Sequence, residues 1–223
     1  MFPAEMLDRL SSAELQAHLS GTLIGRQIVV LEQTGSTNDA ILELATSPSM
    51  EGLVLFAEHQ TTGRGQRGNR WESAAGKGLW FSILLRPQIQ INESWRLTVW
   101  AIEAISDVIR AEFALDSTIK MPNDVQLHGR KVAGVLVEMR AQQKAAHVAV
   151  VGIGVNANQS DFPDELQERA TSLAMTLGRR VTRQEFAVAL LRHLDRTYRE
   201  RFVTKLSNLS GAAPALGAIL ERG

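Results

Sequence analysis

The stretch HQTTGRGQRGNRWES, residues 59–73, limits the fold more than any other. It places Gly63, Gly65 and Gly68 in the order GxGxxG, the spacing of a dinucleotide-binding turn. In such a turn the third glycine opens directly into a helix, whose first N–H groups hold the pyrophosphate. Here Gly68 runs instead into NRWESAAGKGLWFSILL, a polar loop and then a strand. No acid follows about 20 residues later at a strand end to take a ribose, and no GKS or GKT completes a P-loop. The chain is therefore neither a Rossmann nor a P-loop fold. What remains is a glycine-rich backbone that can approach a ligand closely, interleaved with Arg64, Arg67 and Arg70, a basic clasp suited to an anion. One arginine about 4 Å from a phosphate is worth about 4 kcal/mol at an effective dielectric of 20, whereas a solvated arginine gains almost nothing. Taken alone, the same segment reads equally well as a solvated surface loop.

Around this loop, strands and helices alternate. IGRQIVVLEQT reads as a strand, STNDAILELAT as a helix, GLVLFAEHQ and GLWFSILLRP as strands on either side of the loop, and ESWRLTVWAIEAISDVIRAEF as a long helix. STIKMPNDVQL, RKVAGVLVEMR and AAHVAVVGIGVNAN follow as consecutive strands joined by short turns, one at His128 and Gly129. Short turns force antiparallel pairing. A last helix, TRQEFAVALLRHLDRTYRERF, closes the pattern. The expected class is α/β of the α+β kind: a mixed, largely antiparallel sheet flanked by helices. The opening PAEMLDRLSSAELQAHLSG has helical spacing and a glycine stop but is too short for a three-helix DNA-binding domain. Residues 1–23 are thus expected as a helical lead-in, 24–205 as the main domain and 206–223 as a short tail without strand alternation.

Composition narrows the partners. With 44% apolar residues in 223, the chain can fill a core. Its 24 basic and 24 acidic residues cancel, so no uniform field gathers nucleic acid or anionic lipid, and anion binding must be local. The absence of cysteine removes disulfides, a thiolate nucleophile and cysteine metal ligation and fits a reducing cytosol. The start, MFPAEMLDRLSS, carries acids where a signal peptide needs a basic head. The longest apolar run, AAHVAVVGIGV, contains a histidine and two glycines and falls short of the roughly 20 residues of a membrane helix. No membrane or DNA partner and a cytoplasmic location are expected. None of the five histidines has a spacing such as HExxH, so no metal site built from the protein's own residues is expected.

Taken together, four ordered segments resemble the biotin protein ligases: GSTN at 35–38, AEHQTTGRGQRGNRWES from Ala57, KMPND from Lys120, and GRKVAGVLVE from Gly129, with GIGVN ending at Asn156. Order and spacing match over roughly residues 25 to 200. The resemblance implies a class II aminoacyl-tRNA synthetase-like core, the joining of biotin to ATP as biotinyl-AMP, and transfer of biotin to a lysine of a biotin carboxyl carrier domain. It implies biotin contacts from Ser36, Thr37, Asn38, Gln60, Arg64, Gly65, Gln66, Lys131 and Gly134. Nucleotide contacts are implied for Arg67, Trp71, Lys120, Asn123, Asp124 and Asn156, with nucleotide and Mg2+ handled together by Lys120, Asn123 and Asp124. Lys131, Arg64 and Asp124 are the implied catalytic residues: Lys131 at the junction of carboxylate and α-phosphate, Asp124 near the incoming lysine.

The residue types suit those roles. A ureido group has two donors and an acceptor, and burying each without a partner costs about 1–3 kcal/mol, which hydroxyls and amides offset. A fixed ammonium stabilises charge as a carboxylate attacks phosphorus and pyrophosphate leaves, with no nucleophilic side chain required. Each also has a plainer use: Ser36 as a helix cap, Lys131 as an exposed hairpin residue, Asn123 and Asp124 as turn formers, Trp71 as packing.

Two positions depart from the family. Met121 replaces a usual tryptophan, softening a wall of the site, and Gln66 replaces a frequent arginine. Relatives also carry a small SH3-like domain after the last helix and, in the repressor type, a winged helix before the core; neither is expected here. A lipoate or octanoate ligase on the same core is the nearest alternative and a non-enzymatic biotin-binding module the next. A homodimer is left open.

Overall fold

A computed structural model describes residues 8–45, 47–141 and 147–203. The expected 206–223 tail and the first residues of the lead-in lie outside them. Helix α1, Ser12–His18, starts where Ser11 accepts from the Glu14 amide. Strand β1, Gln27–Thr34, leads into α2, Thr37–Leu44, and then β2, Leu53–Gln60. After the glycine loop come β3, Gly78–Leu85, and the long α3, Trp95–Phe113. Strands β4, Thr118–Lys120, β5, Asp124–Leu127, β6, Arg130–Arg140, and β7, Val148–Asn156, follow. Helices α4, Leu173–Leu177, and α5, Arg183–Tyr198, complete the order, with α5 ending in a π-helical turn, Arg199–Val203.

The strands form one seven-stranded sheet in the order β1-β2-β3-β7-β6-β5-β4. Only the β1–β2 pair is parallel; the other pairs are antiparallel. A parallel pair needs a crossover, and α2 supplies it. The mixed, mainly antiparallel sheet expected from the turn spacing is what forms. STIKMPNDVQL divides into β4 and β5 around Met121–Asn123, because Pro122 has no N–H for the ladder and Asn123 and Asp124 favour a turn. Five-residue α4 escaped the sequence reading, since so short a helix leaves no apolar period; its N-cap, Ser172, accepts from the Met175 amide at 3.1 Å.

Side-chain alternation sorts the strands onto two faces. Val54 and Phe56 of β2 and Phe81 and Ile83 of β3 join the main core with α1, α3 and α5. Leu53, Leu55 and Leu84 point the other way, into a smaller cluster under α2 with Ile41. Leu15 and Leu19 put the lead-in helix into the main core. No helix among the described residues is long and apolar enough to cross a membrane.

Candidate active site

On the α2 face, β7 presents Val148 and Val150 to the smaller cluster, and the next residues in the same alternation are Gly152 and Gly154. The missing side chains are needed. A Cβ on Gly152 would lie 2.3 Å from Asn38 Oδ1, and one on Gly154 would lie 2.5 Å from Trp71 Cε2. Gly134 of β6 stands opposite Gly154 in the ladder, so the sheet is bare across two strands, and the amide of Asn38 and the indole of Trp71 lie on it.

Two cavities meet there. The smaller, about 40 Å³, is lined by Ser36, Thr37, Asn38, Gln60, Arg64 and Gly65, and by Asn123, Lys131 and Gly134. The larger, about 400 Å³, is lined by Lys120, Asp124 and Asn156 together with the segment from Phe162 to Ala170. Trp71 and Lys131 border both. Two residues from segments 60 positions apart thus form the partition, and the Lys131 ammonium sits 5.0 Å over the Trp71 ring, within cation–π range. The Trp71 Nε1–H is buried without a hydrogen-bond partner. An unpaired buried donor costs about 1–3 kcal/mol, which an acceptor arriving from a ligand would recover.

The smaller hollow has a wired floor. Gln60 Oε1 accepts from the Thr37 backbone at 2.9 Å and its hydroxyl at 3.1 Å, capping the first turn of α2. Ser36, at the N-cap position, makes no capping bond of its own and keeps its hydroxyl for the cavity. The fully buried Ser82 of β3 lies 2.8 Å from the Thr37 hydroxyl and donates to Asn38 Oδ1 at 2.6 Å. Asn38 Nδ2 in turn donates to Glu138 Oε2 at 2.6 Å. The orientation of the Asn38 amide is therefore fixed from both ends, with a donor and an acceptor in known places.

Arg64 sits at the mouth. Its guanidinium grips Asp39, with Nη2 to Oδ1 at 2.8 Å and Nη1 on Oδ2, and reaches Glu138 Oε2 at 3.3 Å. Hydrogen bonding from Arg64, and then its charge, hold the Asp39 carboxyl below the ordinary range, against burial. The same bond to Asp39 raises the guanidinium further above neutrality. The loop behind it is a tight hairpin: Arg64 bridges Arg70, the Gly65 amide donates to Asn69 O at 2.7 Å, and Trp71 N donates to Gly63 O at 2.9 Å. Its tip, Arg67 and Gly68, takes positive φ at 59° and 78°.

Lys131 enters β6 from the His128–Gly129 turn, and its ammonium contacts Asp124 Oδ1 at 2.6 Å. Asn156 donates to Thr171 O at 3.0 Å and Asn123 to Val135 O at 3.0 Å. Asn123, expected with the nucleotide group, borders the smaller hollow instead. Gln66 and Arg67, in the short turn at the end of the hairpin, border neither cavity. Met121 is 62% exposed and lines neither. Ser82, Asp39 and Glu138 were missed by the sequence reading: a serine inside an apolar strand and acids on a helix and a strand carry no signal until the chain is folded. Among the described residues no group of three or more His, Cys, Asp or Glu could hold a metal ion.

A model of the biotin/lipoate A/B protein ligase family matches residues 30–156. The bifunctional ligase/repressor BirA of Bacillus spizizenii is 34% identical over 194 residues, 86% of this chain and 60% of that protein. The biotin–acetyl-CoA-carboxylase ligase of Mycobacterium tuberculosis is 35% identical over 198 residues, 84% of this chain and 72% of that one. Among solved structures, the Aquifex aeolicus biotin protein ligase in complex with biotin and ATP superposes with a TM-score of 0.68 at 30% identity, covering 82% of this chain and 76% of its own. The chain spans about 60% of the length of the Bacillus relative.

Proposed function

The chain belongs to the biotin/lipoate A/B protein ligase family, and from that premise we propose that it activates biotin with ATP and passes it to a carrier-domain lysine. The observation that carries this reading is the shared hollow: Ser36, Thr37, Asn38 and Gln60 meet Arg64 and Lys131 there, beside a cavity of nucleotide size. A ureido head needs the donors and acceptors that Asn38 and Thr37 present in fixed orientation. These groups already bond Gln60, Ser82 and Glu138, but a plain acyl or dithiolane chain would set their remaining amide hydrogen and lone pairs against apolar carbon, which disfavours lipoate by the logic of polar-site discrimination.

In the first step a carboxylate oxygen attacks the α-phosphorus and pyrophosphate leaves. Lys131 borders both cavities and supplies positive charge where they join. Its partner Asp124 is a monodentate carboxylate that the incoming anion displaces. Asp124, freed from Lys131, then faces the nucleotide cavity. Were Mg2+ to enter with the nucleotide, Asp124 would be the carboxylate to hold it there, and the ion would supply positive charge to the phosphates. In the second step the carrier amine attacks the acyl carbon, AMP leaves with the bonding pair, and Asp124, the carboxylate beside Lys131 in the lining of the larger cavity, is the group assigned to take the amine's proton.

The test is biotin-dependent pyrophosphate release in ATP and Mg2+, followed by label on one carrier lysine. Lys131→Met should slow release by about 10²–10³, the scale for losing one preorganised charge at a transition state, with its unfolding midpoint near that of wild type. Release that ignores biotin, or equal use of octanoate, refutes the reading.

A further inference from the structure

The floor of the smaller hollow is a row of three polar side chains whose hydrogens are largely committed. Gln60, Thr37 and Asn38 are buried, so what they hold out to a ligand is whatever their neighbours leave. Gln60 Oε1 faces the Thr37 backbone N–H at 2.9 Å, which fixes that amide with its oxygen inward. Asn38 lies over Gly152, the ladder partner of Ser82, with Ser82 Oγ 2.6 Å from one end of its amide and Glu138 Oε2 2.6 Å from the other. An ionised carboxylate has no hydrogen to give, and Glu138 is paired with Arg64 at 3.3 Å. The Asn38 nitrogen must therefore face Glu138 and its oxygen Ser82, and that oxygen takes the single Ser82 hydrogen. Thr37 Oγ1 is 2.8 Å from Ser82 Oγ and 3.1 Å from Gln60 Oε1, both of which are left only to accept. The Thr37 hydrogen is held between them, and its oxygen shows the hollow lone pairs alone.

We propose that Glu138 is a positioning residue that sets the hydrogen-bond polarity of this floor: through Asn38 and Ser82 it keeps the Thr37 hydroxyl an acceptor, and so selects a head that brings N–H donors. Neither Glu138 nor Ser82 lines the hollow, so both act through the residues that do. Given the biotin reading, on which the ligand's identity rests, the head carries two such N–H groups in its ureido ring. The isosteric cyclic carbonate has ring oxygens in their place, and against Thr37 such an oxygen meets lone pairs. Turning the Thr37 hydrogen toward it relieves that contact only by setting Thr37 Oγ1 against Ser82 Oγ, lone pair to lone pair at 2.8 Å. Glu138→Gln lifts the constraint, because its amide offers Asn38 either an oxygen or a hydrogen. Asn38 can then reverse, Ser82 turns its hydrogen to Thr37, and Thr37 is released to donate into the hollow.

Competition calorimetry on the full chain tests this with biotin, the cyclic carbonate, and desthiobiotin, which keeps the ureido ring and lacks the thiolane. Wild type should prefer biotin to the carbonate by about 10²-fold or more, as a polar site rejects an analogue without the groups it bonds. Glu138→Gln should lower that preference by about tenfold or more. The biotin-to-desthiobiotin ratio should stay within about twofold of wild type, because both ligands share the ureido bonds; a floor that had simply loosened would shift both ratios. Asp39→Asn also takes a carboxylate from Arg64 but leaves Glu138 on Asn38, and should keep both wild-type ratios. A carbonate preference unchanged in Glu138→Gln, or lowered equally in Asp39→Asn, overturns the proposal. Heteronuclear NMR of the Asn38 side-chain amide, identified by its loss in Asn38→Ser, reads the polarity without any ligand. One of its hydrogens should lie far downfield in wild type and in Asp39→Asn, and move upfield in Glu138→Gln. A wild type that binds neither biotin nor desthiobiotin refutes the biotin reading while the amide shift still decides the polarity. An amide that ignores Glu138→Gln overturns the polarity even where biotin binds.

Discussion

Two arginines in this molecule each grip two carboxylates, and they do opposite things. Arg183, at the start of α5, bonds Glu58 Oε2 at 2.7 Å and Gly78 O at 3.0 Å, contacts Asp8 Oδ1 at 3.3 Å and also reaches Asp8 O. Glu58 passes the tie on by accepting from the Leu10 amide at 2.9 Å. Arg64 makes the same kind of cluster with Asp39 and Glu138. The difference is water: Arg183 is 1% exposed and the Arg64 side chain 40%. Buried, the guanidinium donates from Nη1 and Nη2 to groups that cannot find substitutes, and it joins the N-terminal segment, β2, β3 and α5. At the mouth of a cavity, solvent and salt discount every contact.

The comparison breaks most visibly at the buried end. Arg183→Met should cost about 3–5 kcal/mol, because Glu58 is left as an uncompensated charge. Denaturant unfolding measures it. Arg183→Met/Glu58→Leu should recover much of that loss, since replacing both partners by apolar groups can be nearly neutral. A single variant within about 1 kcal/mol of wild type would mean that water reaches the cluster and that burial does not separate the two arginines.

Arg64→Met should reverse the pattern. Stability should change by no more than about 1 kcal/mol, as for an exposed pair, while release of biotinyl-AMP accelerates by about tenfold or more through loss of a charge-assisted contact to phosphate. Chasing labelled adenylate with unlabelled biotin reads that rate. A large stability loss with unchanged release would make Arg64 a structural residue like Arg183.

The sequence made one half of this contrast legible. Gly63, Gly65 and Gly68 without a following helix ruled out a nucleotide turn, and the short turns between β5, β6 and β7 required antiparallel neighbours. Ser36, Arg64 and Lys131 were placed in one site by motif order, and they line one hollow. The partners were not legible. Asp39 and Glu138 lie 25 and 74 positions from Arg64, and an acid on a helix or strand looks like any solvated charge. The loop was read as a clasp waiting for an anion, whereas its first arginine is already held by carboxylates. Gly152 and Gly154 were seen as part of a motif, but that they lie flat against Asn38 and Trp71 follows only from which face the alternation selects.

The smallest effect tests the exposed cluster by pH. Asp39 has its carboxyl held below the ordinary value chiefly by hydrogen bonds from Arg64, with the charges of Arg64 and Arg140 adding to this. A depressed carboxylate contributes stability that is complete above the unfolded value, about 3.9, and is lost as pH falls through the lower folded value. The melting difference between wild type and Asp39→Asn should therefore be constant from pH 7 to about pH 5, shrink below about pH 4 and vanish further down. Screening at this exposure keeps it below about 1 kcal/mol, roughly 2–4 °C at most for a chain of this size. Added salt should shrink the neutral-pH difference as well. A difference that survived both acid and salt would place Asp39 in a dry environment and make its cluster a joint of the Arg183 kind.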